Sequence, residues 1–333
     1  MTLAARPLVQ QGPARPGDAV PLAGTRHLWF THAELHGRGA PPCVVPASSL
    51  PSRLLANLTA PRAPVMGLDM AEPQIMGILN VTPDSFSDGG QHNDAEAARR
   101  AALSMVRSGA SIIDIGGEST RPGADTIDEE IETRRTAPVI SALMRDTDMR
   151  ISIDTRKAGV AKAAIAAGAS MVNDVAGFTY DAALAPLCAR AGVPTCIMHA
   201  LGDPATMQQD PRYDNVILDV YTYLQDRVTA LERIGIARER MVIDPGIGFG
   251  KTEAHNLALL RNIGVFHGIG CPILLGVSRK RFIGSIGQAP EPASRAPGSI
   301  AVGLAALAQG VQILRVHDVA ETAQALRLWS AAR

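Results

Sequence analysis

Met76-Gly77-Ile78-Leu79-Asn80-Val81-Thr82-Pro83-Asp84-Ser85-Phe86-Ser87-Asp88-Gly89-Gly90 is a short apolar run that breaks off into residues punctuated by Pro and Gly. The run suits one buried strand, and the loop after it offers side-chain oxygens on Asp84, Ser85, Ser87 and Asp88. Any one of these residues alone reads as a turn former or a helix cap. Together they place polar chemistry at the end of a rigid strand, with Asn80 where the strand leaves the core.

The same unit recurs along the chain. Candidate strands are Ile75 to Leu79, Ile112 to Ile115, Ile151 to Ile153, Met171 to Asn173, Thr195 to Met198, Met241 to Ile243, Ile273 to Val277 and Ile313 to Val316. Ala-rich segments of helical spacing separate them: Asp94 to Ser108, Lys157 to Ala167, Asn215 to Ile234 and Pro297 to Gln309, each followed by a closing Gly. Eight βα units in about 260 residues fit an α/β (β/α)8 TIM barrel better than an open doubly wound sheet. Periodicity alone leaves the second topology open.

Polar residues gather just after these strands: Asn80, then Glu118-Ser119-Thr120-Arg121, Asp154, Asn173-Asp174, His199, Asp244, Ser278-Arg279-Lys280, and Arg315 with His317. In a barrel all of them face the C-terminal mouth, where this fold builds its active sites. A lone Asp at a strand end is usually a cap or a turn residue. Eight strand ends that all carry hydrogen-bonding groups point to an enzyme.

Composition sets the boundaries. The 333 residues, 46% hydrophobic and 19% charged, are enough for one large core. Lys+Arg 32 balance Asp+Glu 32, so no net charge favours nucleic acid or an anionic membrane surface. Cys43, Cys188, Cys196 and Cys271 show no C-x-x-C spacing and are expected to be buried free thiols in a cytoplasmic protein. The first residues lack a basic segment followed by an apolar core, so no secretory leader is expected. The apolar stretch Ile300 to Leu314 is broken by Gly303, Gln309 and Gly310, and reads as a core helix running into a strand.

Residues 1–70 differ in texture, rich in Pro and Gly with little periodicity. They are expected to form a partly ordered extension, either mobile or covering the barrel floor or the chain entry, with a strand at His27 to Thr31 and a short helical or extended connector at Leu54 to Leu58. The catalytic domain is expected over 71–333.

Several strings, in order, carry a family resemblance. The Met76–Gly90 string and Gly109-Ala110-Ser111-Ile112-Ile113-Asp114-Ile115-Gly116-Gly117-Glu118-Ser119-Thr120-Arg121-Pro122-Gly123-Ala124 resemble the two signature segments of the dihydropteroate synthase family. Ile151 to Thr155, Val172 to Val175, Asp244 to Lys251, Ser278 to Lys280 and Arg315 to Asp318 match in the same order. The resemblance covers about Pro73 to Arg333 and leaves the extension outside.

The resemblance implies condensation of 6-hydroxymethyl-7,8-dihydropterin pyrophosphate with p-aminobenzoate, giving 7,8-dihydropteroate and pyrophosphate. Asp154, Asn173 and Asp244 resemble the family's pterin readers. Asn80 resembles its Mg²⁺ contact, a hard cation sharing the diphosphate oxygens. Arg315, His317 and Thr120 suit the diphosphate, whose departure needs developing charge to be stabilised. Asp84 would face a cation developing on the exocyclic methylene in an SN1-like transition state. Phe86, Pro122, Phe249, Ser278 and Lys280 would enclose the p-aminobenzoate, with Arg121 closing the second loop. Homodimers are usual in the family.

Other readings fit less well. Gly246-Ile247-Gly248-Phe249-Gly250-Lys251-Thr252 has Pro245 where a Walker A loop needs Gly, and no H-E-x-x-H or nucleophile elbow occurs. A pterin-dependent methyltransferase would share the carboxylate and amide pterin contacts but has no diphosphate to hold. An inactive pterin-binding relative is disfavoured by the intact Asp84, Arg121, Lys280 and Arg315.

Overall fold

The computed structural model describes residues 3–81, 90–119, 126–146, 148–202 and 207–332. Six short strands come first: β1 (Leu3–Pro7), β2 (Gln10–Gln11), β3 (Val20–Pro21), β4 (Leu28–Phe30), β5 (His32–Gly37) and β6 (Ala40–Pro46). They make two antiparallel sheets, ordered β1-β5-β6 and β2-β4-β3, and are followed by α1 (Ser52–Thr59). Leu22, Phe30, Ala33, Leu54 and Leu58 close a small core between them. The extension docks on the turn of residues 263–269: Asn57 Nδ2 donates to Gly268 O (2.8 Å) and Arg62 Nη2 to His267 O (3.0 Å). Arg38 also pairs with Asp219 at 2.6 Å. Cys188, Cys196 and Cys271 are buried free thiols, but Cys43 is exposed because it lies on β6, an edge strand.

The barrel follows. Its strands are β7 (Gln74–Asn80), β8 (Ile112–Gly116), β9 (Ile151–Asp154), β10 (Met171–Asp174), β11 (Thr195–Met198), β12 (Met241–Asp244), β13 (Leu274–Leu275) and β14 (Ile313–Val316). All their pairings are parallel, in the order β12-β11-β10-β9-β8-β7-β14-β13. A parallel bridge from Ile243 to Ile273 joins the two ends, closing a barrel rather than leaving an open sheet. The helices α2 (Gly90–Ser108), α3 (Glu129–Asp146), α4 (Ala158–Ala167), α5 (Leu184–Ala191), α6 (Val216–Ile234), α7 (Glu253–Arg261), α8 (Arg281–Ile286), α9 (Ala296–Leu307) and α10 (Val319–Ala331) lie between and after the strands. No helix among the described residues is long and apolar enough to cross a membrane.

The β-branched runs become strands, and helices stop where the next residue must turn left-handed. Gly168 (φ 116°) and Gly235 (φ 100°) close α4 and α6 in this way. Asn215 caps α6 instead of belonging to it, its side chain accepting the Leu218 N–H. β13 is shorter than the run Ile273 to Val277 suggests, because Val277 already opens a turn whose carbonyl accepts the Lys280 N–H (3.2 Å).

Barrel strands alternate inward and outward. Met76, Ile112, Met171, Cys196, Val242, Leu274 and Ile313 point into the barrel, where Val65 and Met70 of the preceding segment pack against them. That end is therefore sealed with apolar side chains. Two residues further along the same faces the chemistry changes.

Candidate active site

Beyond the apolar floor the inward positions hold Asp114 on β8, Asp154 on β9, Asn173 on β10, Asp244 on β12 and Arg315 on β14. The strand register sets Asn80 beside Gly116, Gly116 beside Asp154, and Asp154 beside Asn173. A Cβ at Gly116 would lie 3.8 Å from both Asn80 Oδ1 and Asp154 Oδ2. The glycine thus leaves those two oxygens facing one shared space.

Arg315 is the hub. Its Nε donates to Asp114 Oδ2 (2.6 Å) and its Nη2 to Asp154 Oδ2 (2.7 Å). Asn173 Nδ2 donates to the same Asp114 oxygen at 3.0 Å. Four strands are joined by three hydrogen bonds. The other oxygens of Asp114 and Asp154 are buried and have no hydrogen-bond partner among the described residues. A buried acceptor without a partner costs about 1 to 3 kcal/mol, so a ligand donor arriving at Asp154, the less buried of the two, gains that penalty back.

The electrostatics follow from this packing. Burial works against the Arg315 charge, but Asp114 and Asp154 more than compensate, so its pKa is raised. Burial pushes the Asp154 carboxyl up to about 7; Arg315 opposes the shift and Asp114 adds to it. Asp244 is also pushed up by burial, against the pull of the Gly246 N–H and of Lys280. Lys280 is brought down to about 7 by burial, with Asp244 raising it and Arg315 lowering it. A carboxylate and an ammonium that titrate near neutrality, side by side in a barrel mouth, are the marks of a functional site.

Lys280 also covers an aromatic face, its Nζ standing 4.0 Å from the centroid of the Phe249 ring. Gly276 leaves room beside Asp244, since a Cβ there would meet only Asp244 Oδ2, at 3.8 Å. Ser278 and His317 come together where β13 and β14 end: Ser278 Oγ accepts the His317 N–H (3.1 Å) and lies 2.9 Å from its Nδ1. Between Ser278 and Lys280, Arg279 takes a left-handed φ of 58°. Asp318 pairs with its guanidinium, Ser299 Oγ accepts its N–H (2.9 Å), and Arg295 Nη1 donates to its carbonyl (3.0 Å). This strained residue turns the chain so that both neighbours serve the mouth.

Two polar strand ends have local tasks instead. Asp174 is fully buried and accepts the Ala176 and Phe178 N–H groups at 2.7 and 2.6 Å, which builds its own turn. His199 is buried edge-on to Tyr223, 4.8 Å between centroids, and burial with the Lys251 charge brings its pKa down to about 2. Neutral His199 accepts at Nδ1 from Lys251 Nζ (2.8 Å). The same ammonium donates to the carbonyls of Gly246 (2.8 Å) and Phe249 (3.0 Å). Lys251 is thus an internal strut under the turn that carries Phe249. It does not reach outward as a phosphate-loop lysine would.

A second buried network lies next to β9. Glu118 accepts from Ile127 N–H (2.9 Å), Lys157 Nζ (3.1 Å) and Arg156 Nη2 (3.2 Å), and Lys157 also reaches Glu132 Oε2 (2.7 Å). It ties residue 118 to residue 127 and both to the turn after Asp154.

Of the residues singled out in the sequence, the structure gathers Asn80, Asp154, Asn173, Asp244, Phe249, Lys280 and Arg315 in one mouth, with Ser278 and His317 paired at its edge. Asp84, Phe86, Thr120, Arg121 and Pro122 lie outside the described residues. Asp114 and Lys251 are the participants that sequence reasoning passed over. The signal for Asp114 was present: a carboxylate inside the apolar run Ile112 to Ile115, on the inward side of the alternation.

Comparison with known proteins agrees with this geometry. A profile of the pterin binding enzymes matches residues 76–317. The dihydropteroate synthase of Escherichia coli K12 is 44% identical over 261 residues, covering 78% of this chain and 92% of that protein. Among solved structures, the Yersinia pestis dihydropteroate synthase in a sulfonamide drug complex superimposes with a TM-score of 0.76 at 43% identity, covering 80% of this chain and 96% of its own. The Xanthomonas albilineans dihydropteroate synthase with 4-aminobenzoic acid gives a TM-score of 0.76 at 44% identity, covering 82% and 98%. With 7,8-dihydropteroate bound, that enzyme gives 0.74 at 41% identity, with the same coverage.

Proposed function

The chain belongs to the dihydropteroate synthases, transferases of the pterin-binding enzyme family, and from that premise we propose that it joins 6-hydroxymethyl-7,8-dihydropterin pyrophosphate to p-aminobenzoate. The observation that carries this reading is the ring of Asp114, Asp154, Asn173 and Arg315, buried on one side and open to the mouth beside Lys280 and Phe249.

The proposed roles follow from the groups. A pterin edge presents amide-like donors and acceptors, and Asp154, Asn173 and Asp244 stand on rigid strand ends where they can read it. Losing one such partner costs about 1 to 3 kcal/mol of binding. Arg315 and His317 take the diphosphate, stabilising the charge that grows on the bridging oxygen as it leaves. Electron release from the dihydropterin ring supports a loose, SN1-like departure. The amine then needs placement more than activation, because an aromatic amine is already neutral near pH 7. Phe249, Ser278 and Lys280 supply one wall of its site.

Mg²⁺ is part of the proposal. Asn80 Oδ1 and Asp154 Oδ2 face one shared space across Gly116, a hard-oxygen pair that suits a cation keeping most of its waters. When bound there, the ion would neutralise diphosphate charge. We further propose a cytoplasmic homodimer, with the extension and the Val65–Met70 segment serving to close the barrel floor.

The reading is tested by sulfonamide competition. A sulfonamide mimics the aniline ring and anionic head of p-aminobenzoate, so it should raise the apparent KM for p-aminobenzoate and leave kcat unchanged. Inhibition that rising p-aminobenzoate does not relieve would contradict the shared pocket.

A further inference from the structure

Asp114 is fully buried in the middle of β8 and cannot touch solvent or a diphosphate itself. One of its oxygens nevertheless receives two donors with different tasks, Arg315 Nε at 2.6 Å and Asn173 Nδ2 at 3.0 Å. Its strand neighbours at the same level are Ile78 and Ser152, so the barrel interior does not demand a charge at this height. A buried guanidinium–carboxylate pair contributes little more stability than apolar packing of the same volume. Its use therefore lies in geometry.

A guanidinium is a planar fork with a side edge, Nε and the near hydrogen of Nη2, and an end edge, Nη1 and the far hydrogen of Nη2. Asp114 and Asp154 together occupy the side edge. Nη1 makes no hydrogen bond to a described residue. Asp154 alone would hold one corner of the plane and leave it free to tilt; Asp114 supplies the second point that fixes it.

We propose that Asp114 is a positioning residue, which holds the Arg315 plane so that its end edge meets the diphosphate of the pterin substrate, and which locks Asn173 through the same oxygen. This rests on the functional reading above and adds to it the residue that turns a general cation into a directed diphosphate clamp. Asp114 acts only through Arg315 and Asn173.

The test compares two ligands that share the pterin ring: 6-hydroxymethyl-7,8-dihydropterin pyrophosphate and the corresponding alcohol. Dissociation constants are measured by calorimetry for the wild type and for Asp114→Asn, with Asp114→Ser as a second variant should the amide not fold. The wild type should prefer the diphosphate. Asp114→Asn should cut that preference about tenfold, the loss expected for a charge-assisted hydrogen bond held out of line, with alcohol affinity, which reads only the loosened Asn173, falling by a smaller factor than diphosphate affinity. In an Arg315→Lys background, whose ammonium has no plane to hold, the same substitution should leave the preference unchanged. An equal loss for both ligands, or an undiminished preference, would overturn the positioning role alone. A wild type with no preference for the diphosphate would overturn the functional reading and the inference with it.

Discussion

The Lys280 ammonium stands 4.0 Å above the Phe249 ring, and the turn that holds this ring is itself held from beneath by Lys251. Burial alone would strip Lys280 of its proton near neutrality; the ring face and Asp244 favour the charged form. Phe249→Leu removes the ring while keeping an apolar wall. Steady-state kinetics should show the KM for p-aminobenzoate rising between about 2- and 30-fold, the range a cation–π contact spans. Lys280→Ala should impair handling of both substrates, and unchanged kinetics would remove it from the site.

The pH dependence follows from two groups that titrate near the same point. Asp154, raised to about 7, is ionised above that value, whereas Lys280, lowered to about 7, is charged below it. Both charges are needed, so kcat/KM for the pterin substrate should be bell-shaped with its summit near pH 7. Lys280→Arg, which stays charged, should lift the alkaline limb. Stability carries the same signature. The folded state binds the Asp154 proton more tightly than the unfolded chain does, so the contribution of this group is present below its ordinary 3.8 and is lost as pH rises to about 7. Denaturant titrations of Asp154→Asn should show a flatter stability curve across that window than the wild type.

Two glycines separate folding from binding. At Gly246, φ is 66° and a Cβ would lie 1.9 Å from the His199 carbonyl oxygen, so Gly246→Ala should fold poorly or not at all. At Gly276 a Cβ would meet only Asp244 Oδ2, at an ordinary 3.8 Å. Gly276→Ala should therefore melt within a few degrees of the wild type yet bind pterin at least about tenfold more weakly, because the methyl fills ligand space. Calorimetry and thermal melts on both variants check the contrast.

Lys251→Met leaves the buried His199 Nδ1 and the Phe249 carbonyl without their donor, while the Gly246 carbonyl keeps the Phe249 N–H (3.1 Å). At about 1 to 3 kcal/mol for each buried group left unpaired, the variant should lose several kcal/mol of stability by urea titration. A midpoint equal to that of the wild type would show that water replaces the ammonium.

How legible all this was in the sequence differs from element to element. The strands announced themselves because β-branched runs alternate with Ala-rich helices closed by Gly, and the proposed pterin readers stood out as polar residues at strand ends. Local signals failed where the decisive relation is distant. Arg315 and Asp114 are 201 residues apart, and only barrel closure brings them together. Lys251 follows a glycine string that looks phosphate-directed, and its inward aim depends on the left-handed turns at Gly246, Gly248 and Gly250. His199 and Asp174 look like their neighbours at the strand ends; burial and nearby N–H or ammonium donors turn them to structural use.

The central claim is amine-dependent loss of pyrophosphate at this mouth, and the most direct measurement is pyrophosphate release by the purified protein given the pterin pyrophosphate and Mg²⁺, with and without p-aminobenzoate. The pterin product is identified by mass. The account predicts release that depends on p-aminobenzoate, equals the 7,8-dihydropteroate formed, and falls by at least about a hundredfold in Arg315→Ala. Tight pterin binding with no dihydropteroate formed, or product formation that Arg315→Ala leaves intact, would contradict it.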